Sequence, residues 1–440
     1  MITHIRMKNF KSWEDSPKVE LAPLTGFFGT NSSGKSSLLQ MLLLLKQTAE
    51  RSDPEEVIFF GDENSLVNLG SFREVIHGHK DEEPLELEFG CKLQKPPTIT
   101  TLQQIDKYRR QYEFAPLDID SFIYDTAITE NTSGLSVEHF SYTVGPEEIQ
   151  KITWKNGNIH YGDIRQGHVS VTKCYGPPKN GYTDFLRPLS SAFENLFKHV
   201  YPLGPTRIQS KRSYHWDDKD PTDVGLWGDK VIDALLCAHM RRVKISKKGE
   251  EATIEDRISE WLREMDLAYS FSLKPIGALR DDNYEVRIQK SATSPAVTLV
   301  DMGYGLADVL PMLVLCYYTP EGSTLILEQP GIHLHPKVQS QLADLLIDVI
   351  IERNLQILVE SHSEHLLNRL QRRIAEERIS VDKTALYFCR NDEGVSEIDR
   401  LEMDEFGNIA NWPENFFGDE MGDLFAMTEA QRERQKRAEG

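Results

Sequence analysis

Gly29-Thr30-Asn31-Ser32-Ser33-Gly34-Lys35-Ser36 follows the apolar run Leu24 to Phe28 and precedes the largely apolar run Ser37 to Leu45. The stretch fits G-x-x-x-x-G-K-[ST], the pattern of a phosphate loop whose backbone N–H groups surround a phosphate chain. The first run predicts a buried strand. The second predicts a buried helix whose N-terminus adds partial positive charge. The alternative is an ordinary Gly/Ser turn that binds no ligand, and the flanking strand and helix disfavour it. The sequence therefore predicts a nucleoside triphosphate site.

Two side chains of this loop carry specific chemistry. Lys35 supplies a full positive charge, and the Ser36 hydroxyl is placed to ligate Mg²⁺. The candidate nucleotide contacts of the stretch are Gly29, Asn31, Ser32, Ser33, Gly34, Lys35, Ser36 and Ser37.

The composition is that of a water-soluble chain. It has 440 residues, 39% of them hydrophobic, and a net charge of -19. No apolar stretch reaches about 18 residues and the start lacks a signal-peptide pattern, so we expect a cytoplasmic protein without a membrane span. The five cysteines are scattered without a C-x-x-C pair, which argues against a disulfide framework or a zinc cluster. The acidic balance disfavours generic nucleic-acid binding, but a local basic groove or a basic partner both stay open.

The pattern along the chain predicts two halves of one nucleotide-binding domain separated by an insertion. The halves are residues 1–94 and 286–382, where strand and helix patterns alternate, with helices over 336–353 and 364–378. The insertion, 95–285, is predicted to be mixed α+β, with helical patterns over 190–199 and 229–270. Residues 383–440 form a C-terminal segment with a hairpin near 391–394 and a charged tail.

Three residues after the insertion are candidates for the metal and the terminal phosphate. Glu328 ends an apolar strand, where a second Mg²⁺ ligand is needed beside Ser36. Gln329 occupies the place of a general base, and an amide can orient water but cannot accept its proton. Hydrolysis is then slow, or another group helps, or the position was changed to trap nucleotide, and the sequence leaves these open. His362 follows the strand next to that of Glu328 and can reach the terminal phosphate; a surface histidine is the alternative.

Two further motifs are weak on their own. Gly303 and Gly305 lie in a turn before the helical run 307–317, where an ordinary turn is the alternative reading. His333 and His335 resemble a metal pair, but no third ligand with helical spacing follows them.

Together these residues carry a family resemblance. The chain resembles the ABC-type ATPases of the SMC and RecF kind, and more narrowly the AAA15/AAA21 group with a DUF3696-like C-terminal segment. Members of that group occur in bacterial anti-phage defence as the ATPase component of Septu-, retron- or PARIS-type systems. The matching motifs are Asn9-Phe10-Lys11-Ser12, the phosphate loop GTNSSGKSS, Glu328-Gln329-Pro330 with His333-Leu334-His335-Pro336, Ser361-His362-Ser363 and Trp412-Pro413-Glu414-Asn415-Phe416-Phe417. The resemblance covers roughly 1–90 and 200–420, and the insertion matches poorly.

The resemblance implies an α/β fold: an ABC/SMC-like P-loop ATPase head with a mixed α/β insertion. ATP and Mg²⁺ would be its cofactors. Gly303 and Gly305 would belong to a signature that reaches the nucleotide of the other subunit, so that two heads sandwich ATP in a homodimer or a higher even oligomer. His362 would be the switch histidine. Gly331 stands where the family has Glu, and Gln329 stands at the base position, so fast turnover is not expected.

The implied role is an ATP-dependent regulator of a separate effector, a nuclease, in anti-phage defence. No room remains for a fused TOPRIM domain after residue 420, so we expect the destructive activity on another chain. A RecF- or SMC-like ATPase of DNA repair or DNA structuring, without a toxin partner, is the alternative. A transporter subunit is disfavoured by Gln329 and the H-L-H-P motif. Basic stretches at 207–212, 241–248 and 369–373 suit either a solvated face or a contact with DNA, RNA or a protein partner.

Overall fold

The computed structural model describes residues 1–440 except 52, 54–55, 81, 107–110, 146–149, 162–163, 169–170, 172, 177–185, 248, 278–281, 414–415, 417–424, 433 and 435–440. Its helices are α1 (Lys35–Glu50), α2 (Phe72–Val75), α3 (Leu186–Lys198), α4 (Val231–Arg241), α5 (Ile254–Glu264), α6 (Tyr304–Tyr318), α7 (Pro336–Arg353) and α8 (Glu364–Ala375). Short 3₁₀ helices cover His77–His79, Leu299–Asp301 and Val381–Lys383. None of the described helices is long and apolar enough to cross a membrane.

The strands are numbered in chain order. The first twelve are β1 (Ile2–Phe10), β2 (Trp13–Asp15), β3 (Val19–Glu20), β4 (Leu24–Gly29), β5 (Leu85–Lys92), β6 (Thr98–Asp106), β7 (Gln111–Asp118), β8 (Ser121–Asn131), β9 (Gly134–Val144), β10 (Gln150–Lys155), β11 (Asn158–Tyr161) and β12 (Ile164–His168). The others are β13 (Val200–Leu203), β14 (Tyr214–His215), β15 (Lys244–Lys247), β16 (Glu250–Thr253), β17 (Ser270–Ile276), β18 (Asn283–Gln289), β19 (Ala296–Thr298), β20 (Thr324–Glu328), β21 (Gln356–Glu360), β22 (Thr384–Asp392) and β23 (Val395–Arg400).

A central sheet positions the phosphate loop. Its strand order is β13-β20-β21-β4-β22-β23, and all neighbours are parallel except the pair β22 and β23. Every residue of β4 and β21 is buried. Strands covered on both faces read as continuous apolar runs, which is why these two were recognisable from the sequence. The carboxyl ends of β20, β21 and β4 therefore meet at one edge of the sheet.

An antiparallel sheet lies beside the central one. Its order is β12-β11-β10-β9-β8-β5-β1-β2, with β3 on β1. Helix α1 is apolar on nearly every side because it is packed between elements of the core, where its leucines join side chains from β1, β5, β8 and α3. A second core lies on the other side of the central sheet, formed mainly by α4, α5, α6 and α7.

One buried side chain ties the two sheets together. Gln356 at the start of β21 is 0% exposed, and its Oε1 accepts hydrogen bonds from the backbone N–H of Ile2 at 2.8 Å and from Thr324 Oγ1 at 3.0 Å. Its Nε2 donates to the carbonyl oxygens of Ile2 at 2.6 Å and Ala22 at 3.3 Å. Both ends of the amide are thereby satisfied, as a buried polar group requires.

Most predicted elements lie where the sequence indicated. The strand before the loop, the helix after it, the helix over 336–353 and the hairpins at 156–157 and 391–394 are all present. The helical prediction over 229–270 was wrong in its middle, because the hairpin β15–β16 separates α4 from α5. Gly249 in this hairpin has φ +86, a backbone conformation that favours a turn over a helix.

The predicted boundaries of the insertion stay a prediction. Strand β5 before residue 95 pairs with β8 after it, and β13 within 95–285 pairs with β20 of the central sheet. Helices α3, α4 and α5 follow the antiparallel strands, but strands β17 and β18 come after them, so the end of this region is not helical.

Candidate nucleotide-binding site

A pocket opens between the phosphate loop, residues 29–36, and the N-terminus of α1. Its walls are Lys11, Ser12, Asn31, Ser32, Ser33, Gly34, Lys35, Ser36, Ser37, Gln40, Glu360 and His362. Most residues predicted from the loop are therefore together at this pocket. Glu328, Gln329, Gly303 and Gly305 are not among its walls.

Lys35 is folded back onto its own loop. Its Nζ donates hydrogen bonds to the carbonyl oxygens of Gly29 at 3.2 Å and Thr30 at 2.5 Å and to Ser33 Oγ at 3.1 Å. The residue is 3% exposed. Burial lowers the pKa of Lys35, and the charge of Glu360 acts in the opposite direction. The loop thus holds a cation at the place where a phosphate chain would bind.

Two glycines allow the loop to approach the C-terminal hairpin. Gly29 has φ +134, and a β-carbon on it would collide with the carbonyl of Cys389 in β22. Gly34 has φ +86, and a β-carbon there would collide with Ser396 of β23 and come within 3.0 Å of Ser12 Oγ. Ser396 Oγ itself donates to Ser12 Oγ at 2.6 Å. Both glycines are needed for backbone conformation and close packing, whatever they contact in a ligand.

Two acids end adjacent strands at the edge of the sheet beside this pocket. Glu328 of β20 is the register partner of Glu360 of β21, and β21 lies between β20 and the loop strand β4. Burial, and after it the charge of Glu360, raises the pKa of Glu328 to about 7. Glu360 is 5% exposed and lines the pocket, whereas Glu328 lies one strand farther from the loop.

Gln329 connects these two strands. It has φ +48, its backbone N–H donates to the carbonyl of Glu360 at 2.9 Å, and its Nε2 donates to Glu360 Oε1 at 3.2 Å. The side chain is therefore engaged with Glu360. Its role as a substitute for a general base stays a prediction.

His362 is exposed at the mouth of the pocket. Partial burial, followed by the charge of Lys35, lowers the pKa of the imidazole, with Glu360 acting in the opposite direction. The ring is therefore neutral near pH 7, where it can donate one hydrogen bond and accept another. Its place beside the loop fits a contact to a terminal phosphate.

The predicted signature residues lie at the start of another helix. Gly303 is the N-cap of α6, is exposed, and has no described atom within 4 Å of a β-carbon built on it. Gly305 lies in the first turn, where a β-carbon would make an ordinary 3.6 Å contact with Leu334. Within one chain these glycines do not line the phosphate-loop pocket.

Sequence reasoning missed four residues of the pocket. Lys11 donates to Gln40 Oε1 at 2.6 Å, and Ser12 lies beneath Gly34. Gln40 is one helical turn after Ser36, a spacing that could have identified it. Glu360 ends the apolar strand before His362, and the same signal, an acid at a strand end, had identified Glu328.

The histidine pair of the H-L-H-P motif has structural contacts. His335 caps α7, where its Nδ1 accepts from the Lys337 N–H at 3.2 Å, and His333 Nδ1 lies 3.4 Å from Asp308 Oδ2. Within the described parts of the chain, no group of three or more His, Cys, Asp or Glu side chains is arranged to hold a metal ion.

The basic stretches are largely engaged with acids. Arg212 forms a bidentate pair with Asp301 at 2.9 and 2.8 Å, and Arg241 pairs with Asp220 at 2.7 Å. Lys244 pairs with Glu251, and Arg369 and Arg373 both pair with Asp344. Lys248 lies outside the described residues. These pairs favour the reading as a solvated face.

A phosphate loop between a central parallel strand and a buried helix, with acids at the ends of the next two strands, defines a P-loop ATPase head. The predicted α/β fold class is confirmed, whereas the likeness of the head to ABC and SMC proteins and the bounds of the insertion stay predictions. Three family models match parts of the chain. Residues 1–159 match "AAA ATPase domain", residues 248–368 match "AAA domain, putative AbiEii toxin, Type IV TA system", and residues 379–427 match "Protein of unknown function (DUF3696)". The recognition of AAA15/AAA21-type segments with a DUF3696-like end is thereby confirmed.

No curated protein matches the chain. Among solved structures, the SMC head domain from Thermotoga maritima is similar at 11% identity, covering 91% of this chain and 99% of that one, with a TM-score of 0.42. An SmcHead bound to the C-winged helix domain of ScpA is similar at 13% identity over 91% and 98%, with a TM-score of 0.44. An Smc head with an extended coiled coil, bound to the C-terminal domain of ScpA derived from Pyrococcus furiosus, has 11% identity over 91% and 96% and a TM-score of 0.44.

The C-terminal match contains part of the W-P-x-x-F-F motif. Phe416 packs edge-on against Phe28 of β4 at 6.1 Å and Phe388 of β22 at 4.7 Å, and Trp412 lies 5.0 Å from Phe416. Glu414, Asn415 and Phe417 lie outside the described residues. Phe416 therefore packs onto β4, the strand that leads into the phosphate loop, and onto its neighbour β22.

Proposed function

We propose that this chain binds ATP with Mg²⁺ and hydrolyses it slowly. The observation that carries the proposal is Lys35, a buried lysine whose ammonium is bonded to the carbonyls of its own loop at the mouth of an open pocket. A triphosphate offers stronger, charged acceptors than those carbonyls, so Lys35 would exchange them for phosphate oxygens. Loop N–H groups and the N-terminus of α1 add the remaining positive field.

The donor set at the sheet edge fits magnesium. A hydroxyl on Ser36 and the carboxylates of Glu328 and Glu360 are hard oxygen donors of the kind that Mg²⁺ prefers, and one oxygen of Glu360 is buried without a partner among the described residues. Bound Mg²⁺ would neutralise charge on the transferred phosphate. Ser36 and Glu328 would hold the ion. His362 would bind the terminal phosphate, and Gln329 would restrain the edge of the sheet rather than accept a proton.

We further propose that ATP joins two heads. Gly303 lies exposed at the N-terminus of α6 with open space around it, so its N–H groups are accessible to a phosphate carried by another copy. ATP would then be held by Lys35 of one head and by the Gly303–Gly305 turn of its partner. The terminal phosphate would be contacted by both heads only when they are joined, and this additional contact would favour the dimer over separate heads.

The cellular role follows from the resemblance and is proposed at that level. The ATPase would sense infection in the cytoplasm and control a separate effector, a nuclease encoded on another chain. A RecF- or SMC-like ATPase of DNA repair or DNA structuring is the second candidate. The ion pairs on the basic stretches weigh against direct nucleic-acid binding through them, which separates the first candidate from the second.

The test combines binding and association. Calorimetry with ATP and Mg²⁺ should detect uptake by the wild type, and light scattering should show a doubling of mass when ATP is present. The variant Gly303→Glu should still bind ATP but should stay monomeric, because the new carboxylate would repel the phosphate bound by the partner. Absence of ATP uptake by the wild type would overturn the proposal.

Phage plating on cells with and without the adjacent reading frame tests the defence role. DNA cleavage by this chain purified alone would contradict a separate nuclease.

A further inference from the structure

Glu360 is a buried carboxylate, and one of its oxygens has no hydrogen-bond partner among the described residues. The residue is 5% exposed, and Oε1 accepts the hydrogen bond from Gln329 Nε2. Oε2 is inaccessible to solvent and has no hydrogen-bond partner in the described chain. A buried charge without a partner is costly, so the site calls for a cation or a donor.

The charge of Glu360 acts on Lys35 and His362, but neither side chain contacts the carboxylate directly. Lys35, the nearest cation on the loop, is bonded to three acceptors of the loop itself. Among the residues that the structure describes, no lysine, arginine or histidine forms a salt bridge with Glu360. Its register partner on β20 is Glu328, a second acid. Two neighbouring carboxylates at a buried edge suit a divalent cation.

We propose that Glu360 is a second acid of the magnesium site, acting with Glu328 and Ser36. Strand β21 lies between β20 and the loop strand β4, so Glu360 is nearer to the loop than Glu328 and lines the pocket that Ser36 also lines. The inference rests on the ATPase function proposed above. It adds an acid that the strand-helix pattern alone did not identify.

The same geometry gives Gln329 a defined role as a positioning residue. Its two hydrogen bonds, from N–H and from Nε2, both end on Glu360. An acid at position 329 would lose the Nε2 donor and place a third carboxylate beside the first two. The amide therefore keeps the Glu360 carboxylate in place without adding negative charge.

The experiment measures how strongly nucleotide binding depends on magnesium. Binding of the non-hydrolysable analogue AMP-PNP is followed by calorimetry while Mg²⁺ is varied from chelated to saturating. Glu360→Gln should raise the Mg²⁺ concentration needed for half-maximal binding by about tenfold or more, the usual effect of removing a supporting group from a metal site. In chelator, where no metal is present, the variant and the wild type should bind AMP-PNP equally or the variant slightly better.

Controls separate this role from others. Glu393→Gln changes an exposed side chain on the β22–β23 turn and should match the wild type throughout. Glu360→Asp keeps the acid on a shorter stem and should show an intermediate Mg²⁺ requirement, which protects the test if Glu360→Gln unfolds. Gln329→Glu should not raise turnover.

The outcomes are distinct. Failure of the wild type to bind nucleotide at any Mg²⁺ concentration removes the proposed function itself. Normal binding by the wild type together with an unchanged Mg²⁺ requirement in Glu360→Gln overturns the role of Glu360 alone. Faster hydrolysis by Gln329→Glu would identify position 329 as the site of a missing base and would equally count against the positioning role.

Discussion

Lys35 Nζ donates a hydrogen bond of 2.5 Å to the carbonyl oxygen of Thr30, five residues before it in the same loop. The contact shows a lysine whose charge is satisfied by the backbone that would cradle a ligand. On the proposed function, a nucleotide would displace this bond and those to Gly29 and Ser33, because charge-assisted bonds to phosphate are stronger.

Replacement of Lys35 by alanine should therefore weaken ATP binding strongly while leaving the fold intact. We expect a loss of affinity of about 100-fold, equivalent to two charge-assisted hydrogen bonds of roughly 1.5 kcal/mol each. Calorimetry measures the effect. Lys18→Ala, which removes an exposed lysine with a 3.8 Å pair to Glu20, is the matched control and should bind as the wild type does. Equal affinity in both variants would remove Lys35 from the site.

Gly34→Ala should destabilise the protein and weaken ATP binding together. The backbone at Gly34 has φ +86, and the added β-carbon would collide with Ser396. The conformation alone costs about 1–2 kcal/mol, and the collision adds to it. Thermal unfolding should show a lower Tm. Gly303→Ala is the control, since Gly303 has φ -65 and open space, and its Tm should be unchanged. An unaltered Tm in Gly34→Ala would mean that β23 does not pack against the loop.

Glu328→Gln should stabilise the nucleotide-free and metal-free protein, and the gain should depend on pH. Burial and the charge of Glu360 raise the pKa of Glu328 from 4.5 to about 7. A raised acid pKa means that ionisation opposes folding: the cost is absent below pH 4.5, grows up to pH 7 and is complete above it. A shift of that size corresponds to roughly 3 kcal/mol.

The measurement is the difference in unfolding free energy between Glu328→Gln and the wild type in the presence of a chelator. This difference should be near zero at about pH 4.5 and largest at about pH 8, because the pKa of Glu328 is raised in the folded protein. A difference that does not vary with pH would show that Glu328 has the same pKa in the folded and the unfolded protein.

Gln356→Leu should destabilise the chain without touching the pocket. The substitution removes the side-chain partner of the buried Ile2 N–H and of the Ile2 carbonyl, whereas the Ala22 carbonyl still accepts from Thr25 Oγ1 at 3.1 Å. Each buried polar group that is left without a hydrogen bond costs about 1–3 kcal/mol, so the variant should lose several kcal/mol of unfolding free energy. Urea unfolding measures the change, with Gln209→Leu, at an exposed position, as the control. A loss below about 1 kcal/mol would show that water or neighbouring groups satisfy these backbone atoms.

The sequence by itself determined the phosphate loop, its flanking strand and helix, and Glu328 as an acid at a strand end. It could do so because these features are local: a glycine pattern, an apolar run buried on both faces, and a residue at the end of that run. The family matches at 1–159, 248–368 and 379–427 agree with the recognition made from the same motifs.

Only the tertiary structure decided which acid lies nearest the loop and what the amide at position 329 contacts. Glu328 and Glu360 are 32 residues apart in the chain and become register partners only when β20 and β21 pair. Strand order is set by the packing of whole layers, which no local pattern records. The hydrogen bond from Gln329 to Glu360 arises from the same strand pairing, and no local pattern of the sequence indicates it.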